Sequence, residues 1–154
     1  MPHESAAGRI VGPDGRSKAF RPLAEAARRV AVETALAAYA RGDFFAAHEI
    51  LEPAWLGSPD PAERDLYQGL IKLAAAFVHA ARGNPSGALK NLGGARLRLL
   101  AARDAYGEAG PGAAEAARID LAALLAAVEA TLETWRAGAP PGPWSAPAIP
   151  RLPR

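Results

Sequence analysis

The chain has 154 residues and 50% hydrophobic residues, the size and composition of one globular domain rather than a disordered segment. It carries no cysteine, which excludes disulfides and thiolate metal sites. Its net charge of +2 with a pI of about 9.3 argues against nucleic acid as the partner, because that pI reflects arginines set against a similar number of acids rather than a strong basic excess.

Alanine makes up about a quarter of the sequence, while β-branched and aromatic residues are sparse. Alanine loses no side-chain entropy in a helix, and sheets favour the residue types missing here. The fold class expected is all-α: a single compact bundle of about five helices built from helical hairpins. Residues 1–20 lack periodicity and carry turn signals at Gly12-Pro13-Asp14-Gly15, which reads as a flexible N-terminal arm. The bundle domain is assigned to residues 21–136 and a proline-rich C-terminal arm to 137–154.

The first helix is expected from about Pro22 to Arg41, with proline in its first turn and Gly42 past its end. Asp43 caps the second, which Gly57 closes. Asp60-Pro61-x-Glu63 is a start signal for the third, which reaches Arg82 before Gly83 stops it. Asn84-Pro85 opens the fourth, reaching Tyr106 through Gly93-Gly94, a pair that costs about 1 kcal/mol per glycine relative to alanine and points to a close helix crossing or a kink. After Gly107–Gly112 a fifth helix extends to Arg136. The six prolines between Pro140 and Pro153 exclude helix beyond it. That arm is pinned by Trp144 against its own domain or against a second copy in a homodimer.

An internal echo relates Arg41-Gly42-Asp43 to Arg82-Gly83-Asn84 at the same place in two successive helical hairpins. Each copy is a helix stop, a capping residue and, at Ala47 and Ala88, a small residue in the next helix. The pattern is that of tandem hairpins, with too few units for a solenoid.

The chemistry-bearing stretch is His48-Glu49-x-x-Glu52-x-x-Trp55. With His48 as reference and about 100° per residue, Glu52 falls near 40°, Trp55 near 340°, Phe44 near 320° and Phe45 near 60°. On this count His48 and Glu52 lie within an aromatic face, with Ala46, Ile50 and Ala54 opposite. A carboxylate placed inward needs a cation, a donor, a metal or water. Lys72, Gln68, Arg96 and Arg103 are the candidate partners. Residues 43–65 carry six acids and one arginine, and 66–103 carry six basic residues and no acid, a layout suited to such pairing. Pro53 should kink this helix beside the cluster.

Three blocks in this order carry a family resemblance. They are Gly42-Asp43-Phe44-Phe45-x-Ala47-His48-Glu49-x-x-Glu52-x-x-Trp55, then Tyr67-Gln68-Gly69-Leu70-Ile71-x-Leu73-Ala74, then Val78-His79-x-x-Arg82-Gly83-Asn84-x-x-Gly87-Ala88. Over roughly Ala37 to Leu100 the chain resembles the domain of unknown function 309 family. The resemblance implies a small helical bundle of bacteria, archaea and plants with no established activity. By position it implies a polar set of His48, Glu49, Glu52, Trp55, Gln68 and His79. Pro53 departs from the family pattern, where another residue is usual.

His48 and Glu52, at i and i+4, could ligate a divalent metal. The motif is not the H-E-x-x-H of zincins, because Glu52 stands where the second histidine would be. It also reverses the Glu-x-x-His order of di-iron bundles. His79 does not supply the third ligand in an antiparallel hairpin, where its level differs from that of His48 by more than about 10 Å. No cofactor is therefore expected. The alternatives for His48, Glu52 and Trp55 are a structural network, a metal-dependent hydrolase and a ligand site. No residue is singled out as catalytic. Gln68, Lys72 and His79 share a stripe with Ala75 that reads as largely solvated, and Lys90, Arg96, Arg98 and Arg103 do not share one face.

The reading that follows is a helical module binding a small molecule or a protein through a pocket around His48, Glu49, Glu52 and Trp55. No apolar run is long enough to span a bilayer, and Met1–Ser5 has neither the charged start nor the apolar stretch of a signal peptide. A cytoplasmic location is expected.

Overall fold

A computed structural model describes residues 9–11, 17–107, 118–138 and 145–153. Its helices are α1 (Glu25–Ala40), α2 (Phe44–Leu56), α3 (Pro61–Ala81), α4 (Pro85–Tyr106) and α5 (Leu121–Arg136), each packed on the one before it. The fold is all-α, as the composition requires.

Four helix starts are closed by side chains. Asp43 accepts from Ala46 N at 3.2 Å, Asp60 from Ala62 N at 3.1 Å, Asn84 from Gly87 N at 3.0 Å and Asp120 from Ala123 N at 3.1 Å. Each satisfies an amide that the helix itself leaves without an acceptor. The buried stripes follow helical spacing: Val32, Ala35, Leu36 and Tyr39 on α1, and Leu121, Leu124, Leu125, Val128 and Leu132 on α5. On α4 Ala88, Leu92, Ala95, Leu99 and Ala102 alternate steps of four and three, the spacing of a narrow helix–helix seam. Central α3 is buried on most of its circumference.

The echo between the two hairpins is geometric. Gly42 and Gly83 have φ of +85° and +71°, the left-handed conformation that ends a helix without a Cβ penalty. Asp43 N bonds Ala38 O, and Asn84 N bonds Ala38's counterpart, His79 O, both at 2.9 Å. The chain thus uses one corner twice.

Helices α3 and α4 come close at Gly94 of the glycine pair, where a Cβ would lie 2.9 Å from Lys72 Cδ, and again at Gly69. A Cβ on Gly69 would lie 2.7 Å from Leu99 Cδ2, so α3 and α4 approach there without room for a side chain. Helix α4 runs unbroken through Gly93 and Gly94.

Three boundaries differ from the sequence reading. Within the first twenty residues Arg9–Val11 (β1) pairs antiparallel with Ser17–Ala19 (β2), Ile10 opposite Lys18, where a flexible arm was expected. Helix α1 begins at Glu25, not near Pro22, because Arg21 N and Leu23 N bond Leu56 O and Gly57 O at 3.0 and 3.1 Å. The last helix begins at Leu121: Arg118 has φ of +54° and Ile119 pairs with Arg151, so Asp120 is its cap. The C-terminal arm is fixed by Tyr39, whose hydroxyl donates to Pro147 O at 2.7 Å, and by an Arg151–Glu33 pair at 2.6 Å. Trp144, the expected anchor, lies outside the described residues.

Candidate functional site

Asp43 starts α2, and its core-facing residues are Ala47, Leu51, Ala54 and Trp55. This corrects the face assignment. Counting aromatics placed Ala54 outward, yet it is fully buried, whereas Phe45 is 55% exposed. Alanine carries the core here because neighbouring helices come close enough to need small residues. His48 and Glu52 are therefore turned from the centre of the buried face by roughly 75° and 115°, onto its flank.

Both are half-exposed and Glu49 is exposed. His48 Nδ1 and Glu49 Oε2 are 3.3 Å apart. Phe45, His48, Glu49 and Glu52 stand at i, i+3, i+4 and i+7, one stripe along the helix. The Arg82 guanidinium lies over the Phe45 ring at 6.0 Å. Trp55 is 1% exposed, so it supports the stripe from beneath instead of lining an open pocket. Behind α2, rings pack in a row: Tyr39 on Phe44 at 5.2 Å, Phe44 on Phe77 at 5.4 Å and Phe77 on Trp135 at 5.4 Å. These spacings suit edge and tilted aromatic contacts, and they give the stripe a stiff backing.

The other expected residues separate from this stripe. Gln68 is 5% exposed on α3, not solvated. His79 sits at the end of α3, with its Nδ1 3.1 Å from Asn84 Nδ2. The Asn84 Oδ1 already accepts from Gly87 N, so Nδ2 donates to Nδ1, and a neutral His79 ring carries its proton on Nε2. Arg96 and Arg103 do not turn inward: they pair with Glu129 at 3.0 Å and Asp104 at 3.3 Å near the surface. The acidic and basic blocks do meet, between Asp65 and Arg98 at 3.2 Å.

The buried polar centre lies elsewhere. Glu63, read as a capping residue, is 6% exposed and accepts from Ser58 Oγ at 2.5 Å, Tyr67 Oη at 2.5 Å and Arg28 Nε at 3.1 Å. Arg28 also donates to Leu23 O, and Arg64 Nη1 donates to Ser58 O at 3.0 Å. Burial pushes the Glu63 carboxyl up, but the bonds from Ser58, Tyr67 and Arg28 outweigh it and hold it below the usual carboxylate range. Burial, then the bond to Glu63, pushes the Tyr67 phenol well up. A buried carboxylate locked by three donors is an anchor, since those bonds fix both its oxygens. The sequence signal was Glu63 and Tyr67 at i, i+4 beside Ser58, hidden by the capping role that Glu63's position suggests.

Among the described residues no group of three or more His, Asp or Glu side chains could hold a metal ion, and no helix is long and apolar enough to cross a membrane. Residues 32–91 match the family described as Domain of unknown function (DUF309), so the resemblance carried by the three sequence blocks holds, and His48 to His79 all fall inside the match. The Uncharacterized protein YpuF of Bacillus subtilis (strain 168) is 39% identical over 64 residues, covering 42% of this chain and 36% of that protein. The chain therefore spans little more than a third of that relative's length. No solved structure matches.

Proposed function

We propose that the chain is a binding module, and that the Phe45–His48–Glu49–Glu52 stripe of α2 is the surface it presents to a protein partner. The observation that carries this reading is a phenylalanine ring 55% exposed within a row of ionisable side chains on a helix backed by packed aromatics. An aromatic anchor with a polar surround is the anatomy of an interface hot spot. The metal-dependent hydrolase using His48 and Glu52 would require a third ligand from beyond the described residues.

A photo-crosslinking residue placed at Phe45 should capture one defined protein in cells, and the capture should vanish with Glu49→Lys. The same residue at Ala126, exposed on α5, should capture none. Metal analysis of protein purified without chelator, with His48→Ala as control, supplies the opposing outcome. Stoichiometric metal that His48→Ala loses would replace the binding reading with the hydrolase.

A further inference from the structure

Helices α3 and α4 and the end of α5 line an open groove of about 640 Å³. That volume is within the range of small-molecule sites, about 300–1,000 Å³. Lys72, His79, Lys90, Arg96 and Arg136 bring their basic side chains to it. Arg96 is neutralised by Glu129. Lys72, Lys90 and Arg136 have no carboxylate partner among the described residues.

The groove is built around Lys72. Its stem lies along Gly94, where an added Cβ would stand 2.9 Å from Cδ and 3.4 Å from Nζ. Gly93 likewise lines the groove, and its Cβ position is 4.0 Å from Arg136 Nη2. Gly94, unfavourable in a helix interior by about 1 kcal/mol relative to alanine, thus gives space to the Lys72 stem. Burial, then the nearby charges of Arg98 and Lys90, hold the Lys72 ammonium pKa below its ordinary value. An unpaired, half-buried ammonium repelled by its neighbours gains from an anion.

We propose that this groove binds a small molecule through a phosphate or pyrophosphate group, held by Lys72, Lys90 and Arg136, with the Nε2–H of His79 as a further donor and Leu97 beside the organic part. Leu97 is 61% exposed and lines the groove. A nucleic-acid strand fits less well, because Glu129 and Asp65 neutralise Arg96 and Arg98 and interrupt any continuous basic track along α4. The site is independent of the α2 stripe.

Calorimetric titration of the full chain at low ionic strength with inorganic pyrophosphate tests it, with sulfate and a single-stranded oligonucleotide as comparisons. Pyrophosphate should bind once per chain, more tightly than sulfate, and should raise the melting temperature. Lys72→Met keeps the stem on Gly94 and removes the charge; it should weaken binding by about tenfold or more, as should Lys90→Gln at the exposed rim, since each removes a charge-assisted contact. Without ligand, Lys72→Met should melt no lower than the parent, because it relieves repulsion. Absence of pyrophosphate binding, or equal affinity in both variants and the parent, would overturn the proposal. An oligonucleotide binding far more tightly than pyrophosphate, with a steep salt dependence lost in Lys72→Met, would replace it with a nucleic-acid site.

Discussion

Arg28 Nε and Glu63 Oε2, thirty-five residues apart, meet at 3.1 Å with side chains only 12% and 8% exposed. The bond joins the first turns of α1 and α3, and Ser58 and Tyr67 complete the carboxylate's shell. Removing one partner leaves a largely buried charge without its counterion, which destabilises by about 3–5 kcal/mol in comparable pairs. Glu63→Ala should therefore cause a loss of that order in urea unfolding. The double variant Arg28→Met, Glu63→Met should recover much of it. A double variant as unstable as Glu63→Ala would show that the network, not the stranded arginine, sets the cost.

The same carboxylate predicts an acid limb. Its folded-state pKa is lowered, so the unfolded chain binds its proton first, at about pH 4.3. The stabilisation is fully present above that value and is lost as pH falls through the lower folded-state pKa. Glu63→Gln should flatten the fall in melting temperature below about pH 4.3 while leaving its shape near neutrality unchanged. Parallel melting curves for the two proteins down to pH 2.5 would contradict the assignment.

How far the sequence reaches is clear from particular residues. Asp43, Asp60 and Asn84 announce their helices because capping is local, a matter of one side chain and an amide two or three residues on. The repeated Gly-Asp and Gly-Asn corners are equally local. The Glu63 cluster is not: Arg28 reaches it with one long side chain from thirty-five residues earlier, which no spacing within either helix encodes. The α2 face was misassigned for a related reason. Ala47 and Ala54 are buried by the close approach of other helices, whereas Phe45, the more hydrophobic residue, is left at the surface. The basic groove was hidden too, since Lys72, Lys90 and Arg136 come from three helices.

Gly57 offers a steric prediction free of backbone strain, since its φ is −102°. A Cβ there would stand 2.4 Å from Leu23 Cβ and 2.7 Å from Arg21 O. Gly57→Ala must push residues 21–23 away and disturb the bond from Leu23 N to Gly57 O. Overpacking of this kind costs about 1–3 kcal/mol. Gly42→Ala meets no atom within 4 Å but sits at φ of +85°, and should lose roughly 1–2 kcal/mol through conformation alone. Amide hydrogen exchange separates the mechanisms. Gly57→Ala should speed exchange at Arg21 and Leu23, and Gly42→Ala should not.

The C-terminal arm is held by contacts of unequal weight. Glu33 and Arg151 are 48% and 36% exposed, so their pair contributes at most about 1 kcal/mol and weakens with salt. Tyr39 is 6% exposed, and loss of its bond to Pro147 O in Tyr39→Phe should cost about 1 kcal/mol. The larger share comes from Ala146 and Ile149 packed on the core, together with Asp120 N bonding Pro150 O at 3.0 Å and Leu152 N bonding Arg118 O at 2.5 Å. Ending the chain after residue 144 removes all of these and uncovers Leu36, Tyr39 and Phe44, which line the groove under the arm. At about 25 cal/mol per Å² of apolar surface, that truncation should destabilise by more than Tyr39→Phe and Glu33→Ala together. Urea midpoints for the three proteins decide it. If the truncated chain is no less stable than Tyr39→Phe, the arm rests on one hydroxyl and its apolar residues add nothing.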